Sequence, residues 1–365
     1  MEDGSKKFYL PALDGLRFFA FLLVFVHHHP LLIGTPLGFF NAEGWIGVDL
    51  FFALSAFLFT ELLTREFEWT GRIDYRKFYM RRIFRIWPAY FFFVLLCLAL
   101  HLATHRVDAR TGWIRFAGLF SFTDNLFMTR YGYDPIPFTQ HLWSIGFEEQ
   151  YYLLIPPFLW FFGNLHPRAR RITISVIVLG LFGYKIFLAS TKANALGFWS
   201  RPWEHFESIG LGVLLAWSVR KGLWKSLNAA IPFIVGSSCF AVQCFLPSID
   251  ESSLWLVPKY LLAAVASVCW ILTALNGVRL RQFLSHPILV HLGRRSYGLY
   301  LYHFAAIGSV DFLLHRLFGH QERPFPSFCL GLAATWLAAY ASYRWLEAPF
   351  LRLKHRFEVV ASRPV

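Results

Sequence analysis

The chain has 365 residues, 56% of them hydrophobic and 16% charged, with a formal net charge of +13. Soluble domains carry roughly a quarter charged residues, so this composition, with its 41 Phe and 14 Trp, argues against a soluble globular protein and for an integral membrane one. The basic excess, which in a soluble chain would suggest nucleic acid, is what cytoplasmic loops collect; the five scattered cysteines show neither disulfide-framework nor CxxC metal spacing.

In chain order the apolar runs predict ten spans, near residues 13–33, 45–64, 83–104, 142–163, 172–190, 204–219, 229–247, 256–276, 288–315 and 325–346. The first run is too long for a cleaved signal and lacks a small-residue cleavage site, so it is expected to stay in the membrane. With the N-terminus inside, the inner loops hold about 23 of the 35 basic residues and the outer loops about nine. Both termini are therefore expected in the cytoplasm. Residues 112–128 are apolar but short and interrupted, and read as a re-entrant or interfacial piece. The stretch 196–212 is a weak span, because Arg201, Glu204, His205 and Glu207 crowd it. The expected fold class is all-α, a polytopic transmembrane bundle of about ten helices. Residues 1–350 form one membrane domain and residues 351–365 a basic cytoplasmic tail. No internal repeat or soluble domain is visible.

Arg17 and His28 lie in the first apolar run. Eleven positions are about three helical turns, so the two side chains point the same way, about 16 Å apart along the axis. Such a polar stripe has to face protein or water. On this topology Asp49, Glu148 or Glu149, and His303 fall at the depth of His28, in the outer half, and suggest a shared polar cavity. A histidine there can act as general base, its tautomer fixed by Asp49 or Glu148. His27, His28 and His29 are adjacent, about 100° apart on a helix, and cannot converge on one metal ion. The second constellation is basic: Arg82 and Arg85 are neighbours on one helix face, with Arg81 beside them. Guanidinium groups at a membrane mouth suit a polyphosphate or, equally, anionic lipid.

These segments resemble the membrane-bound acyltransferase family 3, bacterial O-acyltransferases of envelope sugars. LDGLR with His28 resembles that family's opening Arg/Lys-ten-residues-His helix. GVDLFFALSAF, RRIFRIWPAY (Arg82 and Arg85), HLWSIGFEEQYYLLIP (Trp143, Ser144, Glu148, Tyr152), SYGLYLYH (ending at His303) and YRWLEAPF (Glu347, Pro349) resemble its later elements, in family order. Ala56 stands where the family motif usually has Gly, and Ile145-Gly146-Phe147 replaces Leu-Ser-Val. The resemblance implies a helical membrane fold in the bacterial inner membrane, an acyl-CoA donor (usually acetyl-CoA), no metal, and a hydroxyl acceptor, often on a carbohydrate. It makes His28 essential and assigns Arg17, Arg82 and Arg85, with Arg81, to the donor. Asp49 and Glu148 would support His28, either as general base or through an acyl-histidine. Trp143, Tyr300, Tyr302 and His303 would contact the acceptor. The rival readings are a proton-coupled transporter of a lipid-linked or acylated sugar, disfavoured by the missing repeat symmetry, and a non-catalytic scaffold, which leaves the buried His and Arg unused.

Overall fold

The computed structural model describes residues 8–104, 109–132, 136–191, 200–251, 253–319 and 323–360. Lys6, Lys7, residues 196–199 of the weak stretch and the last five residues of the expected tail lie outside these. The described residues are helical and contain no strand, so the protein is all-α. Five helices, Ile46–Thr70, Tyr75–Thr104, Pro167–Ser190, Leu256–Asn276 and Pro324–Phe357, are long and apolar enough to cross a membrane. The chain is a multi-pass membrane protein.

In order the helices are α1 (Pro11–His27), α2 (Gly38–Glu43), α3 (Ile46–Thr70), α4 (Tyr75–Thr104), α5 (Ala109–Phe120), α6 (Asp124–Tyr131), α7 (Trp143–Asn164), α8 (Pro167–Ser190), α9 (Phe206–Arg220), α10 (Ala230–Gln243), α11 (Leu256–Asn276), α12 (Val278–Leu284), α13 (Pro287–Arg294), α14 (Ser296–Phe318), α15 (Pro324–Ala341) and α16 (Ala348–Lys354). Each predicted span coincides with a helix except the first, whose helix stops at His27 short of the expected residue 33, and the ninth, which breaks at Arg295 (φ −97°, ψ 7°) into α13 and α14. Just before the break Gly293 lies against the backbone of α1 at Asp14. The local signals are ordinary. Pro11 opens α1 at a position where a missing N–H costs nothing, and Pro30 begins a separate 3-10 turn beyond its end. Gly71, in the left-handed region at φ 70°, closes α3 by donating to Phe67 O at 2.8 Å. Pro349 follows a π-helical turn, Ser342–Glu347, the wider turn expected where a proline cannot donate to the ladder.

The chain divides into two compact units. The first comprises residues 1–93, 208–244 and 263–365. Its core packs Leu13, Leu16 and Ala20 of α1 with Leu50, Ala53 and Phe57 of α3, Leu215 and Ala216 of α9, and Ile271 and Leu272 of α11. Small residues permit these approaches. A Cβ on Gly212 would lie 3.0 Å from the Cβ of Ala56 and 2.6 Å from Ala53 O, so the space taken by alanine at position 56 is released by glycine on α9. A Cβ on Gly293 would overlap the Asp14 carbonyl. Gly293→Val is therefore expected to cost about 1–3 kcal/mol, read as a lowered unfolding temperature of the solubilised protein; an unchanged temperature would contradict this close packing.

The second unit comprises residues 94–207 and 245–262. The stretch 112–128 falls into two helices of 12 and 8 residues, about 18 and 12 Å long, so neither spans a bilayer. They are tied by a buried bidentate pair, Arg115 Nε to Asp124 Oδ1 at 2.5 Å and Nη2 to Oδ2 at 2.8 Å. The charges crowding 201–207 also have a structural partner. Lys185, fully buried on α8, donates to Glu207 Oε1 at 2.6 Å and to the Glu204 carbonyl at 2.5 Å. Buried charges survive only when paired in this way.

Candidate active site

α1 is too short to contain His28, which caps it and donates its backbone N–H to Val24 O at 3.1 Å. Its half-buried imidazole meets His303, fully buried on α14, with His28 Nδ1 3.0 Å from His303 Nε2. His303 Nδ1 lies 2.6 Å from the Tyr300 carbonyl. A carbonyl only accepts, so His303 Nδ1 carries a proton. A second proton on a ring buried this completely would make it a desolvated cation, which is costly, so His303 is neutral and its Nε2 is an acceptor. The proton between the rings then belongs to His28 Nδ1, and in the neutral form of His28 the lone pair sits on Nε2. Phe304, 4.5 Å from the His28 ring, and Phe21, edge-on 6.3 Å from His303, give the pair apolar walls.

The group on Nδ1 of His28 is thus His303 rather than the carboxylate expected there. Asp49, buried on α3, accepts from Ser208 Oγ at 2.5 Å. Glu148, on α7 in the second unit, accepts from Tyr152; Glu149 follows it on the same helix. Trp143, also in that unit, stacks on His205 at 5.3 Å. In the first unit Tyr300 packs edge-on to Phe51 at 6.0 Å. Tyr302 donates to Ser342 Oγ at 3.0 Å, which donates on to Glu347 Oε1 at 3.2 Å.

The arginines gather near the start of α14. Arg85 Nη2 donates to the Arg294 carbonyl at 3.2 Å, and Lys354 is within electrostatic reach of Arg85 and Arg82. Arg295 lies 4.5 Å over the Tyr343 ring, and Arg82 lies 3.9 Å over Phe59. Arg81 is occupied structurally, bonded to Glu66 Oε2 at 2.9 Å and Phe357 O at 2.8 Å. Arg17 pairs with Asp14 at 3.2 Å. Tyr9 donates to that same carboxylate and accepts from Arg294 Nη2 at 3.0 Å; burial raises the Tyr9 hydroxyl above the usual phenol range. Reading along the sequence singles out Arg82 and Arg85 but not Arg294, Arg295 or Lys354, which join them only through the folded chain. Eight residues, about 12 Å of helix, separate Arg295 from His303. One helix thus carries a basic cluster at its start and the imidazole pair above it.

Comparison with known proteins gives consistent matches. The family described as Acyltransferase domain matches residues 10–344. The O-acetyltransferase OatA of Staphylococcus aureus, strain NCTC 8325 / PS 47, is 28% identical over 385 residues, covering 100% of this chain and 60% of that protein. The same values hold for OatA of strain COL. The chain therefore spans about 60% of the length of these relatives. No solved structure matches it.

Proposed function

The chain belongs to the acyltransferase domain family, and from that premise we propose that it is a membrane O-acyltransferase, moving an acyl group, acetyl in the first instance, from acyl-CoA to a hydroxyl of an envelope or secreted carbohydrate. The observation that carries this reading is the 3.0 Å contact of His28 Nδ1 with His303 Nε2, backed by the Tyr300 carbonyl on His303 Nδ1, which directs the opposite nitrogen, Nε2, of His28 to the acceptor. That atom takes the proton of the acceptor hydroxyl as the hydroxyl oxygen attacks the thioester carbonyl. The carbon–sulfur bond breaks, and the departing thiolate takes the proton back from His28. His303 holds the tautomer throughout. The Staphylococcus aureus relatives, named as O-acetyltransferases, support acetyl as the group moved.

The donor's phosphates would rest on Arg82 and Arg85 with Arg294, Arg295 and Lys354, since guanidinium groups bind phosphate bidentately. Arg17 would stand between this cluster and His28. Arg81, bonded to Glu66 and Phe357, would hold the cluster in place rather than the donor. Tyr300 and Tyr302 remain the candidates for acceptor contact in the first unit, and Asp49 its candidate carboxylate for balancing charge. The bias of basic residues toward one set of loops supports a cytoplasmic position for both termini, and the family resemblance a place in the bacterial inner membrane. Arg85→Ala is expected to raise the donor KM roughly tenfold with kcat little changed, as for loss of a charge-assisted contact; an unchanged donor KM in a steady-state assay would refute the cradle. Mass spectrometry of envelope glycans tests the function itself. Deleting the coding sequence should remove one class of O-acyl ester and restoring it should return that ester; an identical ester profile would count against the reading.

A further inference from the structure

Building on that reading, we infer that Asn41 is a positioning residue for His28. α1 ends just before His28, and although Val24 O and Val26 O accept from the backbone N–H groups of His28 and His29 at 3.1 and 3.3 Å, the carbonyls around this end have lone pairs left for further donors. The Asn41 side-chain amide supplies them. Its Nδ2 lies 3.0 Å from Val26 O, 3.1 Å from His27 O and 3.0 Å from His29 O, one amide shared among three carbonyls on both sides of His28. The Asn41 backbone carbonyl in turn accepts from His27 Nδ1 at 2.7 Å, which commits the neighbouring imidazole to the loop. His28 itself has left helical geometry (φ −90°, ψ 0°). The direction of its ring is therefore set by this cap.

Asn41 is held from behind. Its six-residue helix α2 runs into Gly44, where a Cβ would come within 3.0 Å of the His27 Cβ and overlap the Leu23 carbonyl. Only a glycine lets the loop sit this close to the end of α1. Next to it, buried Glu43 accepts from Trp45 Nε1 and from Gln243 Nε2, both at 3.0 Å. The loop is thus pinned to α10 on one side and to α1 on the other. Loss of the amide frees the carbonyls flanking His28, and a shift of about an ångström there moves Nδ1 off His303 and Nε2 off the acceptor.

Three variants in purified, bilayer-reconstituted protein test this. Asn41→Asp keeps the shape but faces the carbonyls with acceptors; Asn41→Ala removes the group; Asn41→Ser keeps one donor. The expected order of kcat is wild type, Ser, Ala, Asp, with Ala at least tenfold below wild type and the donor KM within twofold. Loss confined to the folded fraction, with kcat per donor-binding protein unchanged, would mark a merely structural role and overturn the proposal, as would wild-type kcat in the Asp or Ala variant. A second readout does not depend on turnover: the rate at which diethyl pyrocarbonate modifies His28, mapped by mass spectrometry. It should differ at least threefold between wild type and Asn41→Ala while histidines outside this cluster, such as His205 and His355, stay the same, and an unchanged rate overturns the proposal. If wild type transfers nothing but the His28 rate still depends on Asn41, the functional reading fails and the positioning role stands.

Discussion

Replacing His28 by alanine is expected to abolish acyl transfer, lowering kcat by roughly 10³–10⁴, the upper range for loss of a positioned general base, while the protein still inserts and still binds donor. The expectation follows from the tautomer argument. His28 Nδ1 is committed to His303, which directs its Nε2 to the acceptor, whereas His27 is held toward the loop by the Asn41 carbonyl. The basic cluster that would hold the donor lies about 12 Å of helix away from His303, so its charge and geometry should survive the substitution. CoA release by purified protein measures the effect. Normal turnover by the variant would remove His28 from the chemistry.

His303→Phe is expected to lower kcat by roughly 10² with the donor KM near wild type, within the range for loss of acid–base assistance. Phenylalanine fills the space but offers His28 Nδ1 no acceptor, so the His28 ring loses both its orientation and its preferred tautomer. His303→Gln supplies a carbonyl that can accept from Nδ1 and should recover part of the loss. Equal activity for the two variants would mean that His303 only packs against Tyr300, Phe21 and Phe304.

The helical architecture is legible in the sequence because lipid imposes it. An apolar run of about 20 residues must satisfy its backbone N–H and C=O groups within itself, and the helix does so. The break at Arg295 is not legible: the contact beside it joins Gly293 to Asp14, two residues far apart in sequence. Lys185 lies in the middle of an apolar run, where nothing nearby announces its partners, although the out-of-place Glu207 carboxylate accepts from it and the Glu204 carboxylate lies 4.0 Å away. At the site, His28 and His303 are visible as ionisable groups at membrane depth, but their mutual contact spans 275 positions, and no local spacing encodes it. Depth alone assigns the tautomer to Asp49 or Glu148; the fold gives the Nδ1 side of His28 to His303. Asn41 is hidden for a different reason. An asparagine in a short connection is ordinary, and only the three carbonyls around it reveal its work.

If the donor rests on the arginine cluster at the cytoplasmic face and the acceptor meets His28 from the other side, the acyl group crosses the membrane at the imidazole pair. Proteoliposomes loaded with a carbohydrate acceptor and given acetyl-CoA labelled in its acetyl group on the outside test it most directly. The prediction is an alkali-labile labelled ester on the enclosed carbohydrate, with one CoA thiol released per ester, and neither product when His28→Ala replaces wild type. Enclosed carbohydrate that stays unlabelled while wild type consumes no donor, or equal labelling by the His28→Ala protein, would contradict it.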